Sequence, residues 1–138
     1  MKNKLCLLLI LSSFVLNIHA QKSIRIGIIG LDTSHSVAFT DLINGDKDNA
    51  FAKGFRIVAA YPYGSKTIES SAKRIPGYIK KVEQQGVEIV SSISELLDKV
   101  DCVLLETNDG RLHLEQAIEV FKSGKICYRF QQSENVVI

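Results

Sequence analysis

From Ser23 onward, short apolar runs rich in β-branched residues alternate with segments of helical periodicity. Ile24 to Ile29 is the first run and closes on Gly30. Val37, Ala38, Phe39, Leu42 and Ile43 follow, spaced to share one face of a helix. Asn44 to Gly54 is polar and turn-rich and reads as a loop, and Arg56 to Tyr61 is a second strand stopped by Pro62 and Gly64. Ile68, Ala72 and Ile75 form a helical stripe that Pro76-Gly77 is expected to break and that Tyr78 to Gln85 resumes. Gly86 ends that helix and Val87 to Val90 is a third strand.

The next unit carries sharper punctuation. Ser92 and Glu95 have capping-box spacing, which predicts a short helix over Ile93 to Asp98. Asp101 to Glu106 is apolar almost throughout, as a central parallel strand covered on both faces would be. Leu114, Ala117, Ile118 and Phe121 make an apolar helical stripe, with Gly124 as its C-terminal cap. Strand and helix in alternation imply βαβ crossovers. The fold class is therefore α/β, a doubly wound parallel sheet in a single domain, with strand order 3-2-1-4 and a fifth strand allowed at Ile126 to Phe130. Ligands of such sheets sit outside the carboxyl ends of the strands. That rule nominates Gly30 to Ser36, Tyr61 to Lys66 and Thr107 to His113.

The N-terminus follows a different pattern. Lys2 and Lys4 precede an apolar stretch from Leu5 to Leu16, and Ile18-His19-Ala20 supplies a small residue for cleavage. Residues 1–20 are expected to be a secretory signal cleaved before Gln21, since the apolar stretch is shorter than the roughly 20 residues that span a bilayer. The mature protein is then exported, periplasmic or secreted, with no membrane association. Without Lys2 and Lys4 the 17 basic residues fall to 15, level with the 15 acidic ones, so no positive surplus remains for nucleic acid. The mature chain keeps Cys102 and Cys127, whose spacing matches no metal or redox motif.

The turn after the first strand reads Gly30-Leu31-Asp32-Thr33-Ser34-His35. A dinucleotide fingerprint beginning at Gly30 would have glycine at 32 and 35, where Asp32 and His35 stand. An aspartate there adds bulk and negative charge where the backbone approaches a pyrophosphate. Alternatively Gly30 permits a tight turn and Thr33 or Ser34 caps the helix. Asp32, Ser34 and His35 invite a hydrolase reading, but adjacent residues rarely converge as a triad must. His35, His113, Asp32 and Asp109 could supply zinc ligands at the sheet edge, though no spacing fixes their separation and no metal is assigned. Tyr61-Pro62-Tyr63 ends the second strand without the acid that reads a ribose. Ser65 and Lys66 could meet a 2′-phosphate, or Tyr61 packs over an adenine or a neighbouring loop with Lys66 solvated.

Together these residues resemble a known family. Arg25 to Leu31 with His35, then Glu106-Thr107-Asn108 with His113, then Gln116-Ala117 to Gly124-Lys125 are similar to the N-terminal, Rossmann-like domain of the Gfo/Idh/MocA oxidoreductases. The resemblance covers Ile24 to Lys125. It implies NAD or NADP as cofactor and a sugar-like or polyol substrate in the full-length enzyme. It also implies that Gly30, Leu31, Asp32, Thr33 and Ser34 face the diphosphate, with His35 and Tyr61 nearby. Thr107 and Asn108 would then lie along the nicotinamide ribose, and His113 would begin the helix beside the ring. A helix-start histidine bonded to backbone is the other reading of His113.

Two departures stand out. The second glycine is missing, and Gly124-Lys125 leads into Ile126-Cys127-Tyr128-Arg129-Phe130-Gln131-Gln132 rather than the family's acid-Lys-Pro strand. No catalytic residue is therefore assigned, and residues 126–138 are expected to be an aberrant tail on a truncated oxidoreductase. The change is abrupt, as a shifted reading frame would make it: ATA TGT TAT CGA encodes Ile-Cys-Tyr-Arg, and read from its second base it gives Tyr-Val-Ile and the start of an Asp codon. The alternative expectation is an exported binding module of the same fold without dehydrogenase activity.

Overall fold

The computed structural model describes residues 23–45, 49–50 and 52–129. The expected signal, part of the loop after Asn44 and the end of the tail lie outside the described residues. The strands are β1 (Ile24–Ile29), β2 (Phe55–Tyr61), β3 (Glu88–Ile89), β4 (Cys102–Leu105) and β5 (Ile126–Arg129). They form one parallel sheet in the order β3-β2-β1-β4-β5, so the doubly wound architecture and its strand order are those expected from the alternation. The helices are α1 (Ser34–Asn44), α2 (Glu69–Glu83), α3 (Ile93–Lys99) and α4 (Gly110–Lys122).

The period of two along each strand divides the core in half. Ile26, Ile28 and Ile57 pack with Val37, Phe39 and Ile43 of α1 and Tyr78, Ile79 and Val82 of α2. Ile29, Ala59, Val103 and Leu105 pack with Ile93, Leu96 and Leu97 of α3 and Val120 of α4. Helices therefore cover both faces, α1 and α2 on one, α3 and α4 on the other. Gly27 lets α3 close on the sheet, because a Cβ there would lie 3.0 Å from Leu96 Cγ and 3.1 Å from Val100 Cγ1. In β2 the register skips Val58, between the pairs Ile26–Ile57 and Gly27–Ala59.

Two expectations are corrected. Pro76 does not break α2, which runs unbroken from Glu69 to Glu83. Pro76 and Gly77 lie on its exposed side, and the apolar contacts of Tyr78, Ile79 and Val82 outweigh the one missing backbone bond. The third strand keeps ladder pairing only at Glu88 and Ile89, although Val87 and Val90 are buried. The stripe on α4 faces largely outward: Leu114 is 72% and Phe121 61% exposed, while Gln116 and Val120 are buried. A hydrogen bond turns Gln116 inward, Thr107 Oγ1 donating to Gln116 Oε1 at 2.8 Å. Gly124 does follow α4 with φ +74°.

Candidate functional site

Strands β1, β2 and β3 are added in one direction and β4 and β5 in the other, so the strand order reverses between β1 and β4. At that point α1 and α4 leave on opposite faces, and the loops following β1 and β4 flank the place where ligands of such folds bind. Gly30 turns the chain at the end of β1 with φ +92°. A Cβ there would lie 2.5 Å from Thr107 N and 2.6 Å from Thr107 Oγ1, so the glycine accommodates the β4–α4 loop as well as the turn. Leu31 then buries completely in the core.

Asp32 is the least expected residue of the turn. It is fully buried, and its carboxylate points into the protein between two neighbouring loops. Oδ2 accepts from Ser65 N at 3.1 Å and Oδ1 accepts from Asn108 N at 3.0 Å. Neither Thr33 nor Ser34 caps α1 through its side chain. Thr33 holds the N-cap position without a side-chain cap bond, its Oγ1 donating instead to the Glu106 carbonyl at 3.1 Å, and Ser34 is exposed. With no acid in its first turn either, α1 presents a positive helix end at the switch point.

Across from α1, Glu106 is 3% exposed and its Oε1 has no hydrogen-bond partner. Burial pushes its carboxyl up from 4.5 to about 7. His35 Nδ1 lies 3.9 Å from Glu106 Oε2, making the pair one that attracts when the imidazole is protonated. Asn108 donates through Nδ2 to Ser71 Oγ at 2.9 Å. His113 bonds through Nε2 to the Thr107 carbonyl, and its Nδ1 is buried without a partner. That bond is the one a helix-start histidine makes to backbone.

The β2–α2 loop makes contacts that the sequence does not announce. Ser65 is buried; its hydroxyl donates to Asp109 Oδ2 at 3.0 Å and accepts from Ile68 N at 3.2 Å. Its hydroxyl is thus engaged within the protein. Asp109 caps α4, accepting from Arg111 N at 3.1 Å, from its Nε at 2.8 Å and from a terminal guanidinium nitrogen at 2.7 Å. Those guanidinium bonds, with Ser65, hold the Asp109 carboxyl well below the usual range. The same guanidinium reaches Thr67 Oγ1 at 2.7 Å. An Asp followed by Gly-Arg is a readable helix start, but its bond to Ser65 spans 44 positions and has no local signal. Tyr61 and Tyr63 stack with ring centroids 5.7 Å apart, and Lys66 Nζ stands 5.0 Å over the Tyr63 ring. The tyrosines wall a shallow cleft of about 280 Å³ with Ile93, Leu112 and Gln116. His35, His113, Asp32 and Asp109 do not gather: among the described residues no three His, Cys, Asp or Glu side chains form a metal-binding group.

No protein-family model matches the chain, and no curated protein matches it. Solved structures do. A dehydrogenase (MviM) from Clostridium difficile is 22% identical with TM-score 0.57, over 84% of this chain and 33% of that one. UDP-N-acetylglucosamine 3-dehydrogenase GnnA from Acidithiobacillus ferrooxidans is 16% identical with TM-score 0.53, over 78% of this chain and 28% of that one. Biliverdin reductase from Synechocystis, in complex with biliverdin and NADP+, is 19% identical with TM-score 0.54, over 79% and 29%. The first two are dehydrogenases and the third a reductase. The likeness shows the fold: this chain has the Rossmann-like architecture found in those oxidoreductases, and it spans about a third of their length.

The residues at the switch point fit a dinucleotide only in part. The positive end of α1 suits a diphosphate. The path beside it does not, because the Asp32 carboxylate joins the β2 and β4 loops across the end of β1.

Proposed function

We propose that this chain is the NAD(P)-binding part of an exported oxidoreductase of Gfo/Idh/MocA type acting on sugars or polyols. The observation carrying this reading is the α1 N-terminus, which has neither a side-chain cap nor an acid and lies at the switch point of a dehydrogenase-type sheet. Gly30 to His35 form the turn at that end, and Thr107, Asn108 and His113 stand across the crevice. Export is supported by the basic and apolar pattern of residues 1–20. The decisive experiment is titration of the chain with NADH and NADPH, followed by nicotinamide fluorescence. Saturable binding of either supports the reading, and binding of neither up to millimolar concentration, by this chain and by its Asp32→Gly and Asp32→Asn variants alike, rejects it.

A second reading, an exported binding module without dehydrogenase activity, is favoured by the Asp32 bridge. Under it neither nucleotide binds, while the chain still folds cooperatively and reaches the exported fraction.

A further inference from the structure

Loops that leave a sheet on opposite faces open a crevice between them, and here that crevice is drawn together from both sides. Gly30 abuts the backbone of Thr107, where a Cβ would come within 2.6 Å of its Cα. Thr33 Oγ1 donates to the Glu106 carbonyl at 3.1 Å. Asp32 accepts one backbone N–H from the β4 loop, at Asn108, and another from the β2 loop, at Ser65. A carboxylate taking two convergent backbone N–H groups is bound as a phosphate oxygen is bound in a nest of amides. Position 32 is also where the dinucleotide fingerprint has the glycine that lets the backbone approach the pyrophosphate.

A second position is shaped to match. A Cβ on Gly64 would lie 2.4 Å from Asp32 Cγ and 2.5 Å from Asp32 Oδ2, so any side chain at 64 would displace the carboxylate. The β2–α2 loop therefore has the room that the Asp32 carboxylate occupies. Its neighbours hold it from below: Ser65, whose N–H it takes, is fixed through its hydroxyl by Asp109, and Asp109 by Arg111. Asn108 is fixed through its amide by Ser71. Both donors are thus oriented before any ligand arrives.

We propose that Asp32 is a built-in anion seated where a dinucleotide diphosphate would bind, competing with it for the Ser65 and Asn108 N–H groups and so setting the affinity of the crevice. This rests on the reading of the crevice as a dinucleotide site. Binding then requires Asp32 to give up two charge-assisted hydrogen bonds, and its negative charge repels the incoming phosphates. Replacing it with glycine restores the open fingerprint position and leaves two oriented donors for the ligand.

The test uses the 138-residue chain and its Asp32→Gly and Asp32→Asn variants, each titrated with NADPH and NADH. Asp32→Asn keeps the size and one acceptor while removing the charge, and it carries the test if the glycine variant does not fold. The expected result is a dissociation constant at least about tenfold lower in the variants than in the parent chain. Amide hydrogen exchange gives the second readout. Exchange at Ser65 and Asn108 should be slow in the parent, faster in Asp32→Gly, and slow again when that variant is saturated with NADPH. A parent that binds as tightly as the variants overturns the competition and leaves the dinucleotide reading standing. Tighter binding without renewed protection at Ser65 and Asn108 overturns the seat assigned to Asp32. Binding by none of the three rejects the dinucleotide reading and the proposal with it.

Discussion

Glu106 shows how far a residue's chemistry depends on surroundings that its neighbours in sequence do not reveal. It follows an apolar strand and precedes a polar loop, which gives no warning that one carboxylate oxygen ends buried and unpartnered. Burial raises its pKa to about 7, so between its ordinary value and there the native state holds a proton that the unfolded chain has lost. Its contribution to stability is therefore present at low pH and declines as pH rises through this window. Glu106→Gln removes the titration while keeping the shape, and the variant should gain melting temperature relative to the parent between pH 5 and pH 8. Parallel melting curves for the two proteins across that range would count against it. Asp32 teaches the same lesson in reverse. Its place in the glycine fingerprint was legible and so was its charge. Its direction was not, because the two amides it takes come from positions 65 and 108.

Elements were more legible than side-chain directions, because periodicity is local and orientation is not. All five strands and four helices described lie where runs and stripes fall in the sequence. The start of α3 follows from two residues: Ser92 Oγ accepts from Glu95 N at 3.1 Å. The return bond is displaced by one residue, since the Glu95 carboxylate accepts from Ser91 N and Ser91 Oγ, both at 2.9 Å. Those bonds lower the Glu95 pKa. Ser92→Ala should cost about 1 kcal/mol, read as a lower urea midpoint at unchanged slope. An unmoved midpoint would mean that Glu95 alone anchors the helix start. The stripe on α4 is apolar in sequence, yet much of it does not face the core. Helical spacing identifies a face but not what it meets, and the polar pair Thr107–Gln116 turned a different face inward.

At the scale of the whole molecule, the described fold covers one side of its sheet end poorly. Among the described residues β5 pairs with β4 alone, Ile126 and Tyr128 are 61% and 63% exposed, and α4 presents Leu114 and Phe121 beside them. Between α4 and β5 runs an open groove of about 420 Å³ whose lining includes His113, Ala117, Cys127 and Arg129. It lies at the nicotinamide side of the crevice if the dinucleotide reading holds, where a reacting substrate would have to be held against the ring. Hydride transfer requires that substrate to be oriented within bonding distance and shielded from water. An open groove does neither. Several groups facing the crevice are engaged within the protein instead: Thr33 with the Glu106 carbonyl, Thr107 with Gln116, Asn108 with Ser71, and His113 with the Thr107 carbonyl. Of these side chains His113 is the one able to move a proton, and its Nε2 is held by the Thr107 carbonyl. The 138-residue chain should therefore form no detectable NADH or NADPH from a panel of sugars and polyols, monitored by absorbance at saturating NAD or NADP. This should hold even for the Asp32→Gly variant, because tighter cofactor binding does not close the groove around a substrate. Sugar-dependent reduction by either protein, lost on His113→Ala, would show that the groove orients a substrate after all and that His113 leaves its backbone partner to take part.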